Sequence, residues 1–406
     1  MIVIGVTGTK GKSTTSYLIA EALARLGEKA GLSSTAVFKI GEREWVNPTK
    51  MTMLGRFGLQ RLLRNMVAAG CRYAVVETSS EGIAQHRHRG IEYDVAVFTN
   101  LAPEHIEAHG SFEKYKDAKL TLFRRLAANR RKDFFPKKVA VVNVDDAAAE
   151  DFLAACAGCE RWGFTQRGDK RQETRDKLVS MLTATNTALG AHGADFTVEG
   201  TAFRTSLIGA MNVGNALAAI TTLAALGFPL SKIAEALPGI SGVPGRMEFV
   251  ATEPFIAIVD YAHNPSSFRA LYEAVKLIPH ERIIHVFGAT GGGRDKTKRA
   301  EMGEIAARAA DIVIVTTDDS YDEDPAEISK AVVSGANKAD GAGVREILDR
   351  KEAIEAAIAL ARPRDLVLIT GKGCEQVQIV GGERRPWDDR TVAREAIRDL
   401  QKSPQT

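Results

Sequence analysis

Gly5-Val-Thr-Gly8-Thr-Lys-Gly11-Lys12-Ser13-Thr14 stands between an apolar run, residues 2–6, and a helical pattern that extends from Ser13 to about Leu26. Strand, glycine-rich turn and helix in that order make a phosphate-binding loop. Glycines let backbone N–H groups turn toward an anion, and the helix start adds positive potential. Lys12 is placed to reach the β/γ-phosphates, and the hydroxyl of Ser13 or Thr14 to sit on Mg²⁺. The pattern G-x-x-x-x-G-K-[ST] is met with Val6 in place of its first glycine, so the loop is a variant. It names no reaction by itself, because motors, switches, kinases and ligases share it.

Outward from the loop, strands are expected at Tyr73–Glu77, Val95–Thr99 and Val139–Asn143, with helical stretches between them. Such alternation implies a parallel sheet covered on both faces. Thr165–Ala194 is polar and poor in sheet signals and reads as a loop or excursion, followed by helices over Asn212–Leu226 and Ser231–Leu237. Gly239-Ile-Ser-Gly-Val-Pro-Gly-Arg246 reads as a linker. Beyond it, strands at Phe255–Asp260, Ile283–Gly288, Ile312–Val315 and Leu366–Thr370 form a second α/β unit of about Rossmann size.

The chain has 406 residues, 45% hydrophobic and 26% charged, which excludes wholesale disorder. Its 54 Lys+Arg against 51 Asp+Glu leave a net charge of +3, too even for nucleic acid or an anionic membrane as the main partner. No run of about 18 apolar residues suggests a membrane span, and no signal peptide is recognisable. The four cysteines are too few for a disulfide framework, so a reducing cytoplasm is expected. Cys156 and Cys159 lack a second ligand pair and read as helix-end cysteines rather than a zinc site.

Other polar groups gather at strand ends. Glu77-Thr-Ser79-Ser80 offers a second ligand for Mg²⁺, or a capping box for the next helix. A lone histidine is more often structural, but His105 shares a loop with Glu104, Glu107 and His109, which favours a metal ligand or substrate contact. Lys119 by pattern is a solvated helix charge, and the basic run Arg124–Lys138 a solvated loop face. Loops after Asp260, Phe287 and Thr370 meet at one carboxyl edge, where open α/β sheets bind ligands.

The ordered set TGTKGKST, ETSS, FTNLAPEH, HGSFEKYKDAK, NVDD, GAMNVGN, PGRME, DYAHNP, FGATGGGRDKTKR, GKG and DDRTVAREAI runs from near residue 1 to about residue 398. It resembles the Mur ligases, the ATP-dependent amide-bond ligases of cell-wall precursor synthesis, and among them the branch that adds the third peptide residue. The resemblance implies an α/β protein of two parts. Residues 1–242 would be a phosphate-loop ATPase domain on a mostly parallel sheet, and residues 243–406 a smaller Rossmann-like domain. It implies ATP at Gly8, Thr9, Lys10, Gly11, Lys12, Ser13 and Thr14, with Asn215 near the adenine and Arg246, Asp260, His263 and Lys296 on ATP or the transferring phosphoryl group. Two Mg²⁺ are implied, on Ser13, Glu77 and His105 and on a Lys119 carbamylated by CO₂. Thr49, Thr52, Ser79, Ser80, Asp318, Asp319, Gly371 and Glu375 would contact the substrates, with Lys12, Lys119, His105 and Lys296 serving catalysis.

Departures from the family pattern bear on the substrate. The sequence opens at the phosphate loop, without the family's N-terminal UDP-binding domain, so recognition of UDP is not supported. The family's D-N-P-R, which reads the diamino acid, aligns with Asp318-Asp-Ser-Tyr321, which does not support diaminopimelate. G-K-G-H-E appears as Gly371-Lys-Gly-Cys374-Glu375, S-S-H-G as Ser79-Ser-Glu81-Gly, and the usual Asp-His as Glu104-His105. The reading is a cytoplasmic enzyme, a monomer, coupling an amino acid to a carboxylate such as a UDP-muramoyl peptide. The alternatives are a folylpolyglutamate-like ligase, a ligase for another wall polymer, and a non-catalytic nucleotide switch. The linker at 239–245 would be a hinge that closes the site against water.

Overall fold

In the computed structural model the described residues are 1–103, 109–168, 174, 176–293, 295–339 and 341–402. The chain divides into two compact units, residues 1–243 and 244–406. Along the first run β1 (Ile2–Thr7), α1 (Lys12–Arg25), β2 (Ala30–Ser33), β3 (Val37–Ile40), β4 (Arg43–Val46), α2 (Arg56–Ala68), β5 (Tyr73–Glu77), α3 (Ser80–Ala84), β6 (Val95–Phe98), α4 (Phe112–Ala128), β7 (Val139–Asn143), α5 (Ala149–Ala155), β8 (Glu160–Thr165), β9 (Ser180–Gly190), β10 (Gly193–Val198), β11 (Thr201–Thr205), α6 (Ala210–Ala225) and α7 (Leu230–Ala236). The sheet order is β11-β10-β9-β8-β7-β6-β1-β5-β2-β3-β4. From β9 to β2 neighbours are parallel, and an antiparallel piece extends each edge.

β1 and β5 to β7 are near-continuous apolar runs because helices cover both faces. On one face Phe98 stacks on Phe152 at 3.7 Å between centroids, with Phe123 edge-on at 5.0 Å. On α4, Tyr115, Lys119, Leu122, Phe123 and Leu126 make the buried stripe, so Lys119 faces inward. The expectation of a solvated Lys119 is therefore wrong.

Two further expectations are corrected. Within Thr165–Ala194 lies β9, an eleven-residue strand. Only its Leu182 and Ala184 are buried, and its exposed second half carries Thr and Asn, so no apolar alternation betrays it. The basic run Arg124–Lys138 is not a solvated face throughout. Lys138, 1% exposed, donates to Asp94 Oδ1 at 3.0 Å and to the Tyr93 carbonyl at 2.7 Å. Lys132 grips Asp94 Oδ2, which also accepts from Val3 N–H at 2.9 Å. Cys156 ends α5, where burial pushes its thiol up to about 12. Among the described residues no helix is long and apolar enough to cross a membrane.

The second unit runs β12 (Glu248–Ala251), β13 (Ile256–Asp260), α8 (Pro265–Val275), β14 (Ile283–Phe287), α9 (Thr297–Ala309), β15 (Ile312–Val315), α10 (Pro325–Ala336), β16 (Gly343–Glu346), α11 (Arg350–Leu360), β17 (Leu366–Thr370), β18 (Val377–Val380), β19 (Glu383–Pro386) and α12 (Asp389–Lys402). Its main sheet is β12-β13-β17-β14-β15-β16, parallel except for β12. β17 inserts between β13 and β14, so the loops after β13, β14, β15 and β17 share one edge.

Breaking a buried ion pair strands a charge, at a cost of about 3–5 kcal/mol. Asp94→Ala leaves Lys138 uncompensated and should lower the first unit's stability by that order in urea denaturation. A loss under about 1 kcal/mol would show that Lys138 finds water instead.

Candidate active site

In the first unit the parallel register sets Val6 of β1 level with Glu77 of β5, at the carboxyl edge where the loop begins. Gly8 and Gly11 have positive φ, +154° and +80°. A Cβ on Gly8 would lie 1.9 Å from Thr99 Oγ1, and one on Gly11 2.1 Å from Asn215 Oδ1. The loop is thus clamped between the end of β6 and α6. Thr9 N–H donates to the Asn100 carbonyl at 2.8 Å and Lys10 N–H to Asn100 Oδ1 at 2.9 Å. Thr9 Oγ1 lies 2.9 Å from Tyr115 Oη. No side chain caps α1 at Gly11, and the first turn of a helix is where backbone N–H groups suit an anion. Lys12 Nζ rests on the Thr9 carbonyl at 2.8 Å.

Ser13 Oγ donates to Glu77 Oε1 at 3.0 Å, and Thr35 N–H to Glu77 Oε2 at 2.7 Å. A hydroxyl and a carboxylate that meet beside an anion cradle are hard oxygen donors, which fits Mg²⁺ held jointly with substrate phosphate. Glu77 is not part of a capping box: Ser79 caps α3, accepting from Gly82 N–H. Lys119 Nζ, 1% exposed, donates to the Gly8 carbonyl at 2.7 Å and lies 4.4 Å from the Tyr115 ring centroid. Ser80 Oγ is 3.1 Å from His109 Nε2, whose pKa burial lowers. Thr52 Oγ1 accepts from Thr35 Oγ1 at 3.0 Å, two steps from Glu77, whereas Thr49 turns back on Asn47. Asn215 donates to Asn212 Oδ1 at 2.9 Å. His105 lies outside the described residues, as do Glu104, Glu107 and Arg294.

In the second unit Asp260 accepts from Met247 and Ala262 N–H at 2.8 and 2.7 Å; burial raises its pKa and nearby Arg246 opposes that. Arg246 lies 4.3 Å over the Tyr261 ring, and His263 Nδ1 is 2.8 Å from the Tyr261 carbonyl. Lys296 is mostly exposed and pairs with Glu323 at 3.1 Å. Hydrogen bonding from Arg299 holds Glu323 down at about 2. Lys372, fully buried, donates to Asp319 Oδ1 at 2.8 Å and to Glu375 Oε2 at 2.6 Å. Burial alone would lower its pKa, but Asp318, Glu375 and Asp319 outweigh that and raise it. Glu375 Oε1 also accepts from Tyr261 Oη at 3.2 Å. A Cβ on Gly371 would fall 2.3 Å from Asp318 Oδ2.

Sequence reasoning missed Thr35, Tyr115, Arg299, Glu323 and Lys372. Tyr115 and Lys372 sat inside quoted motifs one turn or one residue from a chosen position. Thr35 and Glu323 act through contacts formed only when distant segments meet, and nothing local marks them.

The model of the Mur ligase middle domain matches residues 6–223, and that of the Mur ligase glutamate ligase domain residues 245–373. The chain is 41% identical over 416 residues to the UDP-N-acetylmuramyl-tripeptide synthetase of Roseiflexus sp. (strain RS-1), covering 98% of this chain and 79% of that protein. It is 40% identical over 401 residues to the UDP-N-acetylmuramoyl-L-alanyl-D-glutamate--2,6-diaminopimelate ligase of Geobacillus thermodenitrificans (strain NG80-2), covering 98% and 78%. A solved UDP-N-acetylmuramoyl-L-alanyl-D-glutamate--2,6-diaminopimelate ligase, 30% identical, superimposes with a TM-score of 0.67 over 99% of this chain and 79% of its own. Agreement of that extent, over both units and the strand-end loops just described, makes the chain a member of the Mur ligase family and an ATP-dependent ligase.

Proposed function

We propose that this ligase adds the third residue to a UDP-muramoyl dipeptide in the cytoplasm, acting as a monomer. The observation that carries the reading is the meeting of Ser13 with Glu77 beside an uncapped helix start. That arrangement supports an ATP phosphate site and a cation site in one place. The acceptor's carboxylate oxygen attacks the γ-phosphorus and ADP leaves. The amine nitrogen then attacks the acyl carbon of the acyl phosphate, loses a proton, and phosphate departs as the amide forms.

Negative charge concentrates on the transferring group, so the chain's contribution is preorganised positive potential. Lys12 and the α1 N–H groups supply it, and Mg²⁺ on Ser13 and Glu77 would neutralise phosphate charge when bound. His105 would join that cation site. Lys296, Arg246, Asp260 and His263 would serve the nucleotide from the second unit, and Asn215 the adenine. Thr49, Thr52, Ser79 and Ser80 would face the acceptor, and Asp318, Asp319, Gly371 and Glu375 the amino acid.

Lys119 belongs to the same reading. Its buried nitrogen touches the phosphate loop at the Gly8 carbonyl, so exchanging its positive charge for a carbamate would turn that spot into a ligand for a second Mg²⁺. The amino acid is one without a distal carboxylate. Tyr321 stands where the family's arginine would, and its ring packs on Gly292, where an added Cβ would lie 2.7 Å from Cδ2.

Phosphate release from ATP tests the function. It should stay near background with either substrate alone and rise only when UDP-N-acetylmuramoyl-L-alanyl-D-glutamate and an amino acid are both present. Equal release without the amino acid would remove the ligase reading. Lys119→Ala should cost about 10²-fold or more in kcat, and added acetate should restore part of it; an unimpaired alanine variant would exclude the carbamate. L-Lysine should be preferred over meso-diaminopimelate by about 10²-fold or more, and Tyr321→Arg should narrow that ratio. A wild-type preference for diaminopimelate would overturn the role of Tyr321.

A further inference from the structure

Arg350 takes no part in the chemistry above, yet it is among the largest fully buried side chains. It opens α11, and Asp389 opens α12. Their side chains form a fork, Nε to Oδ1 at 2.8 Å and Nη2 to Oδ2 at 2.7 Å, with both side chains 0% exposed. Trp387 Nε1 adds a hydrogen bond to Asp389 Oδ1 at 2.7 Å. Arg350 Nη2 donates a second time, to the Thr370 carbonyl at 2.8 Å.

Thr370 is the last residue of β17 and enters Gly371-Lys372-Gly373. Its side chain is held as well. Thr370 Oγ1 is 2.8 Å from His285 Nε2, whose Nδ1 is 2.6 Å from Tyr272 Oη. Burial keeps His285 neutral, with its pKa down at about 3, so the ring donates on one side and accepts on the other. Gly371 follows with φ +113°. A Cβ there would meet Asp318 Oδ2 at 2.3 Å and Arg350 Nη2 at 3.8 Å. Asp318 and the guanidinium therefore both crowd the side of Gly371 on which a Cβ would stand.

A buried ion pair is seldom more stable than a well-packed apolar pair of similar volume, so stability alone does not account for this one. We propose that Arg350 and Asp389 are positioning residues for the amino-acid subsite: they fix the Thr370 carbonyl and the course of Gly371–Lys372, and set a positive charge beside Asp318. The inference rests on the reading that the loops at 318–321 and 371–375 receive the amino acid. It also gives a task to the Asp388-Asp389-Arg390 motif, which lies outside every loop assigned to a substrate.

Steady-state KM values for L-lysine, ATP and UDP-N-acetylmuramoyl-L-alanyl-D-glutamate test it in four variants. Arg350→Met alone strands Asp389 and should lower the thermal midpoint. The double variant R350M/D389L should recover the midpoint. Its KM for L-lysine should nonetheless rise about tenfold or more, because the loop has lost its anchor, while the other two KM values hold. A double variant with an unchanged KM for L-lysine would overturn the proposal, as would a parallel rise in all three. Arg350→Lys keeps the charge but not the fork, and decides the matter in the same way should the double variant not fold. Gly371→Ala separates the two levels. If it leaves the KM for L-lysine unchanged, the subsite reading fails and this proposal with it. If it raises that KM while the Arg350 variants do not, only the proposal fails.

Discussion

The contact between Ser13 Oγ and Glu77 Oε1, at 3.0 Å, is the constraint on which the first unit depends. The two residues are 64 positions apart, and they meet because β1 and β5 are parallel neighbours with Val6 opposite Glu77. A slip of one residue would turn Glu77 to the other face of the sheet. The loop between Thr7 and Ser13 must then be short enough to bring the first helical turn to that carboxylate. It must also be bare enough to pass between Thr99 and Asn215. That requirement accounts for glycine at 8 and 11 more directly than a phosphate does.

The second unit solves a related problem with charge. Asp318, Asp319 and Glu375 come from two loops and would repel one another in a dry setting. Lys372 sits among them, fully buried, and makes their approach tolerable. Glu375 is consequently held by both Lys372 and Tyr261.

How far these features could be read from the sequence depended on the range of the interaction. Tyr73–Glu77, Val139–Asn143, Ile312–Val315 and Leu366–Thr370 are strands at the expected bounds, since a parallel strand buried on both faces leaves an unbroken apolar run. The exposed half of β9 has no such signature. Lys119 misled by residue type, because a helical lysine is usually solvated. Its place in the stripe Tyr115, Leu122 and Leu126 was the better guide, and periodicity would have found it. Lys138 and Asp94 are 44 residues apart, and no local pattern links them.

The nearly even charge of the chain acquires a structural meaning here. Part of the balance lies in paired groups at the strand-end loops of the second unit: Arg299 with Glu323, Lys372 with Asp319 and Glu375, and Arg350 with Asp389. Such pairs give up hydration and add little stability over apolar packing. What they provide is direction, since a fork or a three-donor ammonium fixes the angle of its partner where a methyl group cannot. A ligase must align two substrates and a nucleotide to within fractions of an ångström. Charge buried beneath the loops is therefore a means of setting the course of the backbone above it, and Arg350 beneath Thr370 shows the device at its simplest.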